Sequence, residues 1–348
     1  MARGRKPMSK HMLITGGAGF IGANAARKFS DIGWKVTVLD NLSRAGANRN
    51  LAWLREQGKV TFTRLDVRDR ERLDELFSAE KFDAVLHLAA QVAVTTSVVN
   101  PREDFEINAL GTLNILEGVR KNCPEAMVIY ASTNKVYGAM DGVAVVARES
   151  RYEYKTLRRG VGEDRPLDFH SPYGCSKGAA DQYVLDYARI YGLRTTSLRQ
   201  SCIYGPRQFG VEDQGWVAWF IIAAVLGRPI TIYGDGKQMR DVLHVDDLFD
   251  VFKMAINAPD RTSGQAFNVG GGPDNTLSLL ELVAILEREL DKKLLLKFDD
   301  WRPGDQRVFV SNIQKIEQRL SWRPRIGVED GVRGLIDWIR TNRSLFTN

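Results

Sequence analysis

Short apolar runs alternate with amphipathic stretches over residues 11–199 of the chain. The apolar runs predict β-strands at His11–Thr15, Lys35–Asp40, Val60–Leu65, Ala84–Leu88, Met127–Tyr130 and Thr195–Arg199. The intervening stretches have helical spacing and predict helices at Phe20–Ile32, Arg49–Gln57, Arg70–Ser78, Arg102–Lys121 and Tyr173–Tyr191. Strict alternation of strand and helix is typical of βαβ units, and near-continuous apolar strands are typical of a parallel sheet covered on both faces. We therefore expect an α/β fold built on a doubly wound parallel sheet.

The pattern changes after Tyr204, where glycine and proline become frequent and the strict alternation ends. Helical spacing returns at Leu279–Leu290 and Gly331–Arg340. We expect a main domain over residues 11–203 and a smaller C-terminal α/β lobe over residues 204–348, with short segments of the lobe returning to the main sheet. The stretch 138–170 is long for a loop, and such insertions are usually functional or disordered.

Composition narrows the class of protein. Hydrophobic residues make up 44% of the chain and charged residues 26%, which is ordinary for a globular enzyme. No apolar run approaches the ~18 residues of a membrane span, and the N-terminus lacks the apolar core of a secretory signal. Cys123, Cys175 and Cys202 are widely spaced and do not have metal-ligand spacing. We expect reduced thiols in a cytoplasmic protein that has neither a metal nor a membrane partner.

The net charge of +6 raises the question of nucleic-acid binding. Four bases, Arg3, Arg5, Lys6 and Lys10, lie in an N-terminal tail of ten residues that has no acid, so the rest of the chain carries only +2. Acids and bases are interleaved elsewhere, as on a solvated surface. We therefore expect a disordered basic tail over residues 1–10 and no nucleic-acid partner.

A glycine-rich turn follows the first predicted strand. Gly16, Gly19 and Gly22 keep a three-residue spacing where the strand passes into a helix. A dinucleotide site needs glycine for the tight turn, for close approach of the backbone to a pyrophosphate, and for close packing of the helix on the strand. The helix N-terminus then directs its N–H groups and the positive end of its dipole at the phosphates.

Asp40 ends the second predicted strand, at the position where dinucleotide sites carry an acid. A carboxylate there accepts hydrogen bonds from the adenosine ribose and repels a 2′-phosphate, so we predict NAD rather than NADP, although Arg44 nearby weakens that preference. Asp66 and Val67 are expected to border the adenine, although an aspartate after a strand is also an ordinary helix cap. The other predicted cofactor-binding residues are Phe20, Ile21, Asn41, Ser43, Arg44, Leu88, Ala89, Ala90 and Gln91.

Tyr173 and Lys177 are four residues apart at the start of a predicted helix and share one face of it. A protonated lysine near a phenol favours phenolate, so we expect a lowered pKa of Tyr173 and a general base that works near neutral pH. Lys177 can also hold the nicotinamide ribose. Thr133 follows the fifth predicted strand, at the edge of the sheet where ligands bind, and can hydrogen-bond the substrate hydroxyl that loses its proton.

Together, the glycine turn, Thr133 and the Tyr173–Lys177 pair resemble the extended short-chain dehydrogenase/reductase family over nearly the whole chain. The resemblance implies a Rossmann NAD-binding domain at residues 11–203 and a nucleotide-sugar-binding lobe at residues 204–348. It further implies that the glycines bind NAD, that Tyr173 is the base supported by Lys177, and that Thr133 completes the triad. Asn108 is implied to distort its helix rather than to react.

The family contains epimerases, 4,6-dehydratases and decarboxylases, and the two residues after Thr133 discriminate among them. Dehydratases have an Asp-Glu pair where this chain has Asn134 and Lys135, and decarboxylases tend to have glutamate at the second position. An amide cannot transfer the acid's proton, and an ammonium cannot replace the carboxylate base. Removal and return of a hydride needs only the triad and NAD, so we predict an epimerase.

Longer runs at residues 40–44, 132–138, 170–183 and 213–217 resemble, within the family, the 2-epimerases of CDP-hexoses. The resemblance implies oxidation at carbon 2, rotation of the keto sugar and return of hydride to its other face, with NAD bound throughout. Pro206 departs from that pattern, in which a glycine is expected. Two alternatives stay open: a 4-epimerase of a UDP-sugar or other nucleotide sugar, and a dinucleotide-sensing or RNA-binding relative without activity.

The lobe is expected to hold the nucleotide part of the substrate. The resemblance implies that Arg240 and Arg302 bind the diphosphate, which suits guanidinium chemistry, and Asp305 is expected at the ribose. The other predicted substrate-binding residues are Thr133, Asn134, Cys202 and Gln208. His87 and His244 lie in apolar runs and are expected to be hydrogen-bonded core histidines. We also expect a homo-oligomer, either a dimer or a tetramer.

Overall fold

The structure is a computed structural model that describes residues 9–58, 60–302 and 305–347, so residues 1–8 of the predicted basic tail lie outside it. The strands are β1 His11–Thr15, β2 Lys35–Asp40, β3 Val60–Arg64, β4 Ala84–His87, β5 Met127–Thr133, β6 Val145–Ala147, β7 Tyr152–Tyr154, β8 Thr195–Gln200, β9 Cys202–Tyr204, β10 Ile230–Tyr233, β11 Met239–His244, β12 Gln265–Val269, β13 Thr276–Ser278, β14 Leu296–Asp299 and β15 Val308–Phe309.

The α-helices are α1 Phe20–Asp31, α2 Ala47–Glu56, α3 Arg70–Ala79, α4 Val94–Val99, α5 Pro101–Phe105, α6 Gly111–Asn122, α7 Ser171–Tyr191, α8 Trp216–Leu226, α9 Val245–Asn257, α10 Pro259–Thr262, α11 Leu279–Leu290, α12 Gln314–Leu320 and α13 Val328–Thr341. A π-helical turn spans Glu106–Leu110, and 3₁₀ turns span Asn134–Tyr137 and Arg343–Leu345. No helix in the described part of the chain is long and apolar enough to cross a membrane.

Seven strands of the described chain form one parallel sheet in the order β12-β8-β5-β4-β1-β2-β3. The strand order reverses between β1 and β4, where Thr15 is in register with His87, and ligands of open α/β sheets bind outside the carboxyl ends of strands at such a point. The predicted α/β class with a doubly wound parallel sheet is confirmed. One strand of this sheet, β12, comes from the C-terminal part of the chain.

The two faces of the sheet bury separate apolar clusters. Along β1, Ile14 faces a cluster that contains Phe29 and Phe252, whereas Leu13 faces the opposite cluster with Phe77 and Ile115. Successive strand residues point to opposite faces, so a strand covered on both sides must be apolar throughout. Burial of each such side chain stabilises the fold by roughly 1.5–3 kcal/mol. The packed sheet therefore holds the strand ends, and the loops of the site that follow them, in place.

Residues 138–170 fold onto the C-terminal lobe. The β6–β7 hairpin is fixed there by the Arg151–Glu281 ion pair at 2.5 Å, and the Tyr152 hydroxyl donates to Asp235 at 2.5 Å. Of the two outcomes expected for this insertion, disorder is therefore wrong. The lobe also contains α8, which the sequence pattern did not predict because this helix is apolar all round, and the amphipathic α9, which the sequence analysis overlooked.

The predicted helix 102–121 is interrupted in the structure. Asn108 lies in the π-helical turn between α5 and α6. Its side-chain Oδ1 accepts from the Gln91 backbone N–H at 3.0 Å, and its side-chain amide N–H donates to Ser176 Oγ at 3.0 Å. These bonds tie the turn to the neighbouring loop and to α7. The expectation that Asn108 distorts its helix is confirmed.

The two histidines in apolar runs have structural partners. His87 is buried between the hydroxyls of Thr15 at 2.6 Å and Thr112 at 3.0 Å. Burial lowers the pKa of His87 to about 3, so its ring stays neutral at physiological pH. His244 caps α9, where its Nδ1 accepts from the Asp246 N–H at 3.3 Å. The interpretation of both as satisfied core histidines is confirmed.

Candidate active site

A cavity of about 830 Å³ runs along the carboxyl ends of the central strands and continues into the C-terminal lobe. Its wall brings together every predicted site residue except Gln91. The Gln91 side-chain amide is instead bonded to Asp104 Oδ1 at 3.0 Å and to the Ala93 carbonyl at 2.8 Å, and its role as a cofactor contact stays a prediction. The other predicted residues divide between two ends of the cavity, a cofactor end beside β1 and β2 and a substrate end beside β10 and β11.

The cofactor end begins at a turn that only glycine can form. Gly16 has a φ of +64°, and a Cβ there would lie 2.7 Å from the Ala89 backbone nitrogen. A Cβ on Gly22 would lie 2.3 Å from the Gly16 carbonyl oxygen, so the first turn of α1 packs directly on the loop. The backbone is thus open toward the cavity with no side chain in the way, and the N-terminus of α1 faces it. This geometry fits a dinucleotide pyrophosphate.

Asp40 is held at the end of β2 by backbone donors. One carboxylate oxygen accepts from the Ala18 N–H at 3.0 Å and the other from the Leu42 N–H at 2.7 Å. Each oxygen keeps a second acceptor position, which suits the two hydroxyls of a ribose. Burial raises the pKa of Asp40, whereas these N–H groups and Arg44 lower it. The Arg44 guanidinium hydrogen-bonds the side chain of Gln214, so Arg44 is engaged across the cavity mouth.

Asp66 borders the same end of the cavity. Its carboxylate accepts from the Arg68 side chain at 2.9 and 3.0 Å and from the Asn41 amide at 2.8 Å. These bonds hold the pKa of Asp66 down to about 2, against the effect of its burial. Nearby, the Thr15 hydroxyl accepts from the backbone N–H groups of Leu88 and Ala89, both at 3.2 Å, and fixes the loop after β4.

Thr133 and Tyr173 meet where the two ends of the cavity join. Both are buried apart from their access to the cavity. The pKa of Tyr173 is raised to about 12, because burial outweighs the opposing effect of the Thr133 hydroxyl. The expectation of a lowered pKa is therefore wrong for the protein without ligands. Its physical basis fails because Lys177 does not bond the phenol in this structure.

The Lys177 ammonium has turned to the sheet instead. It donates to the Ala131 carbonyl oxygen at 2.6 Å and lies 4.2 Å from the centre of the Tyr130 ring. Burial lowers the pKa of Lys177 to about 7, whereas Asp181 and Asp104 raise it. The ammonium lines the cavity beside Tyr173 and remains placed to hold a ribose hydroxyl there.

A buried acid ties the elements around Lys177 together. Asp104 accepts from the Ser176 hydroxyl at 2.5 Å, from the Gln91 amide at 3.0 Å and from the Asn108 amide at 3.1 Å. Ser176 directly precedes Lys177 in α7, so this network fixes the helix turn from which Lys177 projects. Sequence reasoning did not single out Asp104, since an acid in a predicted helix usually lies on its solvated face.

The substrate end is lined by charged side chains. Arg240 on β11 donates to Asp305 Oδ1 at 2.6 Å, and Arg302 forms an ion pair with Asp213 at 3.0 Å. The Arg302 guanidinium also lies 3.9 Å from the centre of the Tyr233 ring, which orients its plane. Residues 303–304 lie outside the described part of the chain. Two guanidinium groups on one wall are suited to a diphosphate.

Between these cations and the triad lie mostly neutral polar groups. The Trp216 indole N–H points at Cys202 Sγ at 3.4 Å, and the Gln208 amide donates to the Ile203 carbonyl at 3.4 Å. The Gln208 amide oxygen is buried and lacks a hydrogen-bond partner among the described residues, so a ligand donor can satisfy it. Asn134 lines the same wall.

Sequence reasoning missed several wall residues, among them Lys135, Thr231, Tyr233 and Gln238. Tyr233 and Gln238 belong to a glycine-rich stretch without periodicity, and no local pattern marks such positions. Lys135 did carry a signal, because it directly follows the Thr133–Asn134 pair.

The residues present fit NAD. The glycine turn leaves space for a pyrophosphate, Asp40 keeps free acceptor positions for a ribose, and Lys177 projects beside Tyr173 at the nicotinamide side. When bound, NAD supplies a reversible hydride acceptor; the chain supplies binding, orientation and proton transfer.

Comparison with known proteins agrees with this geometry. Residues 12–270 match the family model described as "NAD dependent epimerase/dehydratase family". The chain is similar to CDP-paratose 2-epimerase of Salmonella typhi, with 47% identity over 94% of this chain and 98% of the relative. It is also similar to a putative UDP-glucose 4-epimerase of Methanocaldococcus jannaschii, with 33% identity over 95% of this chain and 99% of the relative.

Among solved structures, the UDP-glucose 4-epimerase of Thermus thermophilus in complex with NAD superposes with a TM-score of 0.79 and 32% identity, covering 95% of this chain and 99% of the other. The predicted resemblance, the enzyme class and NAD as the cofactor are confirmed by these matches. The relatives also confirm a nucleotide sugar as the class of substrate. The chain belongs to the NAD dependent epimerase/dehydratase family.

Proposed function

We propose that this protein inverts carbon 2 of a CDP-hexose of the CDP-paratose/CDP-tyvelose type. The observation that carries the proposal is the 47% identity to a CDP-paratose 2-epimerase over nearly the full length of both chains. The site agrees with it, because Asn134 and Lys135 line the cavity where a dehydratase needs an acid and a base. The chemistry that these residues still allow is the removal and return of a hydride.

The side chains around the triad have defined tasks in this reaction. Tyr173 takes the proton of the carbon-2 hydroxyl, and Thr133 donates a hydrogen bond to the same oxygen. Because the pKa of Tyr173 is raised in the free protein, the phenol must first release its own proton to solvent before it can accept one from the substrate. Lys177 then provides the nearby positive charge that favours phenolate. After the keto sugar has rotated in the site, Tyr173 returns the proton to the oxygen on the inverted carbon.

The alternative is inversion at carbon 4 of a UDP-sugar. It is favoured by the 33% identity to a putative UDP-glucose 4-epimerase and uses the same triad. The lower identity over a similar length makes it the weaker candidate. The two activities differ in which carbon of the sugar faces Tyr173.

A reaction in deuterium oxide tests both the carbon and the mechanism. We expect purified enzyme with a CDP-hexose to give a second epimer, with carbon 2 inverted and no deuterium at that carbon in the proton NMR spectrum. Direct hydride transfer keeps the hydrogen of the substrate, whereas enolisation exchanges it with solvent. Stoichiometric deuterium at carbon 2 would exclude hydride transfer there, and inversion at carbon 4 would favour the alternative.

We further propose that the enzyme is a homodimer in the cytoplasm. Large apolar side chains of α5, the π-helical turn and α7, which pack on one another, are exposed: Phe105, Leu110, Tyr183, Ile190 and Tyr191. An apolar group of this size on a monomer is typical of a protein interface. Two copies can cover it through an isologous contact.

The proposed location in the cytoplasm rests on the cysteines. All three cysteines are free, which is compatible with a reducing compartment.

Ile190, which is 58% exposed, offers the test of the interface. We expect Ile190→Asp to convert the dimer to a monomer in light scattering after size exclusion, because it puts an unpaired charge in the contact. Ile32→Asp is the matched control, since Ile32 is 53% exposed on the far end of α1. An unchanged mass for Ile190→Asp would rule out this face.

A further inference from the structure

Lys135 lies directly beside the reacting centre but has no assigned task. It belongs to the 3₁₀ turn that follows β5, and its backbone N–H donates to Thr133 Oγ1 at 3.2 Å. This bond places the base of the Lys135 side chain next to the hydroxyl of the triad. The side chain lines the cavity on the substrate side.

The Lys135 ammonium has no hydrogen bond or ion pair to any part of the chain that the structure describes, whereas the Lys177 ammonium donates to Ala131. The charged and titratable groups that face Lys135 are Arg240, Asp305 and Cys202. Asp305 is already engaged by Arg240 at 2.6 Å, so the group carries an excess positive charge. Burial and Arg240 together lower the pKa of Lys135 to about 8.

A half-buried ammonium without a partner, next to a second cation, is unfavourable in the free protein. Such an arrangement persists where a ligand supplies the missing anion, because the charge then becomes paired and hydrogen-bonded. The substrate of a nucleotide-sugar enzyme carries anionic charge on its diphosphate. The position of that diphosphate relative to Thr133 depends on which carbon of the sugar reacts.

Inversion at carbon 2 brings a phosphate close to the triad. Carbon 2 is bonded to carbon 1, which carries the sugar-linked phosphate, so the phosphorus is only three bonds away from the reacting carbon. Carbon 4 lies across the ring from carbon 1, and a 4-epimerase therefore holds the phosphate farther from its triad. A cation two residues after Thr133 is placed for the first geometry.

We propose that the Lys135 ammonium binds the sugar-linked phosphate of the substrate and so holds carbon 2 against Thr133 and Tyr173. Arg240 binds the same diphosphate from the lobe. The inference rests on the proposed 2-epimerase function, and it assigns Lys135 as a specificity-determining residue of that site.

The test compares CDP with CMP, which lacks the second phosphate, by calorimetry on the NAD-loaded enzyme. We expect Lys135→Met to weaken CDP binding roughly 10- to 100-fold, the effect of losing a charge-assisted hydrogen bond, while CMP affinity changes less than about twofold. Lys135→Arg should recover part of the CDP affinity. The matched control is Lys253→Met on the exposed side of α9, which should bind both nucleotides as the parent does. Equal losses for CDP and CMP, or no loss for either, would overturn the proposal.

A pH series gives a second readout that a structural role would not produce. Between pH 7 and 9.5 the affinity of the parent for CDP should fall, because free Lys135 loses its proton near pH 8. Arg240 stays charged in this range, and burial raises the pKa of the Cys202 thiol, which stays protonated for longer. Lys135→Arg should flatten the profile. A profile as steep in Lys135→Arg as in the parent would contradict the role of Lys135.

The failure of this proposal is distinguishable from the failure of the proposed function. If the enzyme inverts carbon 2 but Lys135→Met binds CDP as tightly as the parent, only the proposed phosphate contact is overturned. Inversion at carbon 4 would overturn the proposed function and, with it, the steering of carbon 2 by Lys135.

Discussion

The two ends of the cavity are built from different parts of the chain. At the cofactor end the contact surface is backbone: the Gly16 turn, the first N–H groups of α1 and the loop after β4. Its one central acid, Asp40, is fixed by two backbone donors. At the substrate end the surface consists of long side chains, such as Arg240 and Arg302, which start from β11 and from a loop.

The two ends differ in how readily a sequence change alters what they bind. A backbone-built site is specified by glycines that cannot be replaced without steric conflict, and it suits a cofactor common to a whole family. A site built from side chains changes its ligand when a few residues change, while the fold stays the same. Tyr173 lies between the two ends and serves any sugar hydroxyl that the substrate end presents to it.

The largest expected effect on activity comes from Tyr173, where the two ends of the cavity join. Tyr173→Phe removes the proton acceptor but keeps the ring, so the turnover number should fall about 10²- to 10⁴-fold while bound NAD is unchanged. Acid release of dinucleotide from the purified protein measures the second quantity. Tyr183→Phe, on an exposed part of the same helix, is the control and should keep its activity. Turnover of Tyr173→Phe within threefold of the parent would show that another group is the base.

The cofactor end was also the more predictable from sequence. Gly16, Gly19 and Gly22 are close together in the chain, and their spacing directly reflects one turn of backbone. The strands β1, β4 and β5 were found because burial on both faces makes them largely apolar. The strand β12 was not located, since its place beside β8 depends on chain 65 residues or more away.

Gly16→Ala should disrupt the cofactor end, because the added Cβ conflicts with backbone atoms. Its Cβ would lie 2.7 Å from the Ala89 nitrogen at a φ of +64°, so we expect an unfolding free energy lower by about 2–4 kcal/mol and loss of bound NAD. Gly33→Ala is a matched control, because Gly33 has a φ of +92° with nothing within 4 Å. It carries only the cost of the left-handed conformation, roughly 1–2 kcal/mol, and should retain NAD. Equal behaviour of the two variants in thermal melts and NAD content would refute the close-approach argument.

Arg240→Gln breaks the substrate end and should leave the cofactor end intact. We expect CDP to bind roughly 10- to 100-fold more weakly with no change in bound NAD, because Arg240 contacts the cavity only on the substrate side. Arg261→Gln, at an exposed position of α10, is the control. Loss of NAD together with CDP would mean that the two ends are coupled through the fold.

The charged residues of the substrate end were predicted through the family resemblance rather than from local spacing, for a physical reason. Arg240 and Asp305 are 65 residues apart in sequence, and only the fold brings them within 2.6 Å. The raised pKa of Tyr173 was missed for a similar reason. The i, i+4 spacing places Lys177 on the same helix face, but the spacing does not reveal that the Ala131 carbonyl oxygen is a closer partner for its ammonium.

The smallest expected effect is at Asp40, where a side chain acts within the backbone-built end. A carboxylate repels the 2′-phosphate of NADP, so Asp40→Asn should shift the ratio of NAD to NADP affinity by about tenfold toward NADP, equal to 1.4 kcal/mol. Burial raises the pKa of Asp40, so falling pH should relax the preference of the parent as the carboxylate gains a proton. The asparagine variant has no such group and should show a ratio that is independent of pH. Titrations of both dinucleotides at several pH values give the two curves. A parent whose ratio stays constant while its binding weakens would show that Asp40 acts through its hydrogen bonds to Ala18 and Leu42, not through its charge.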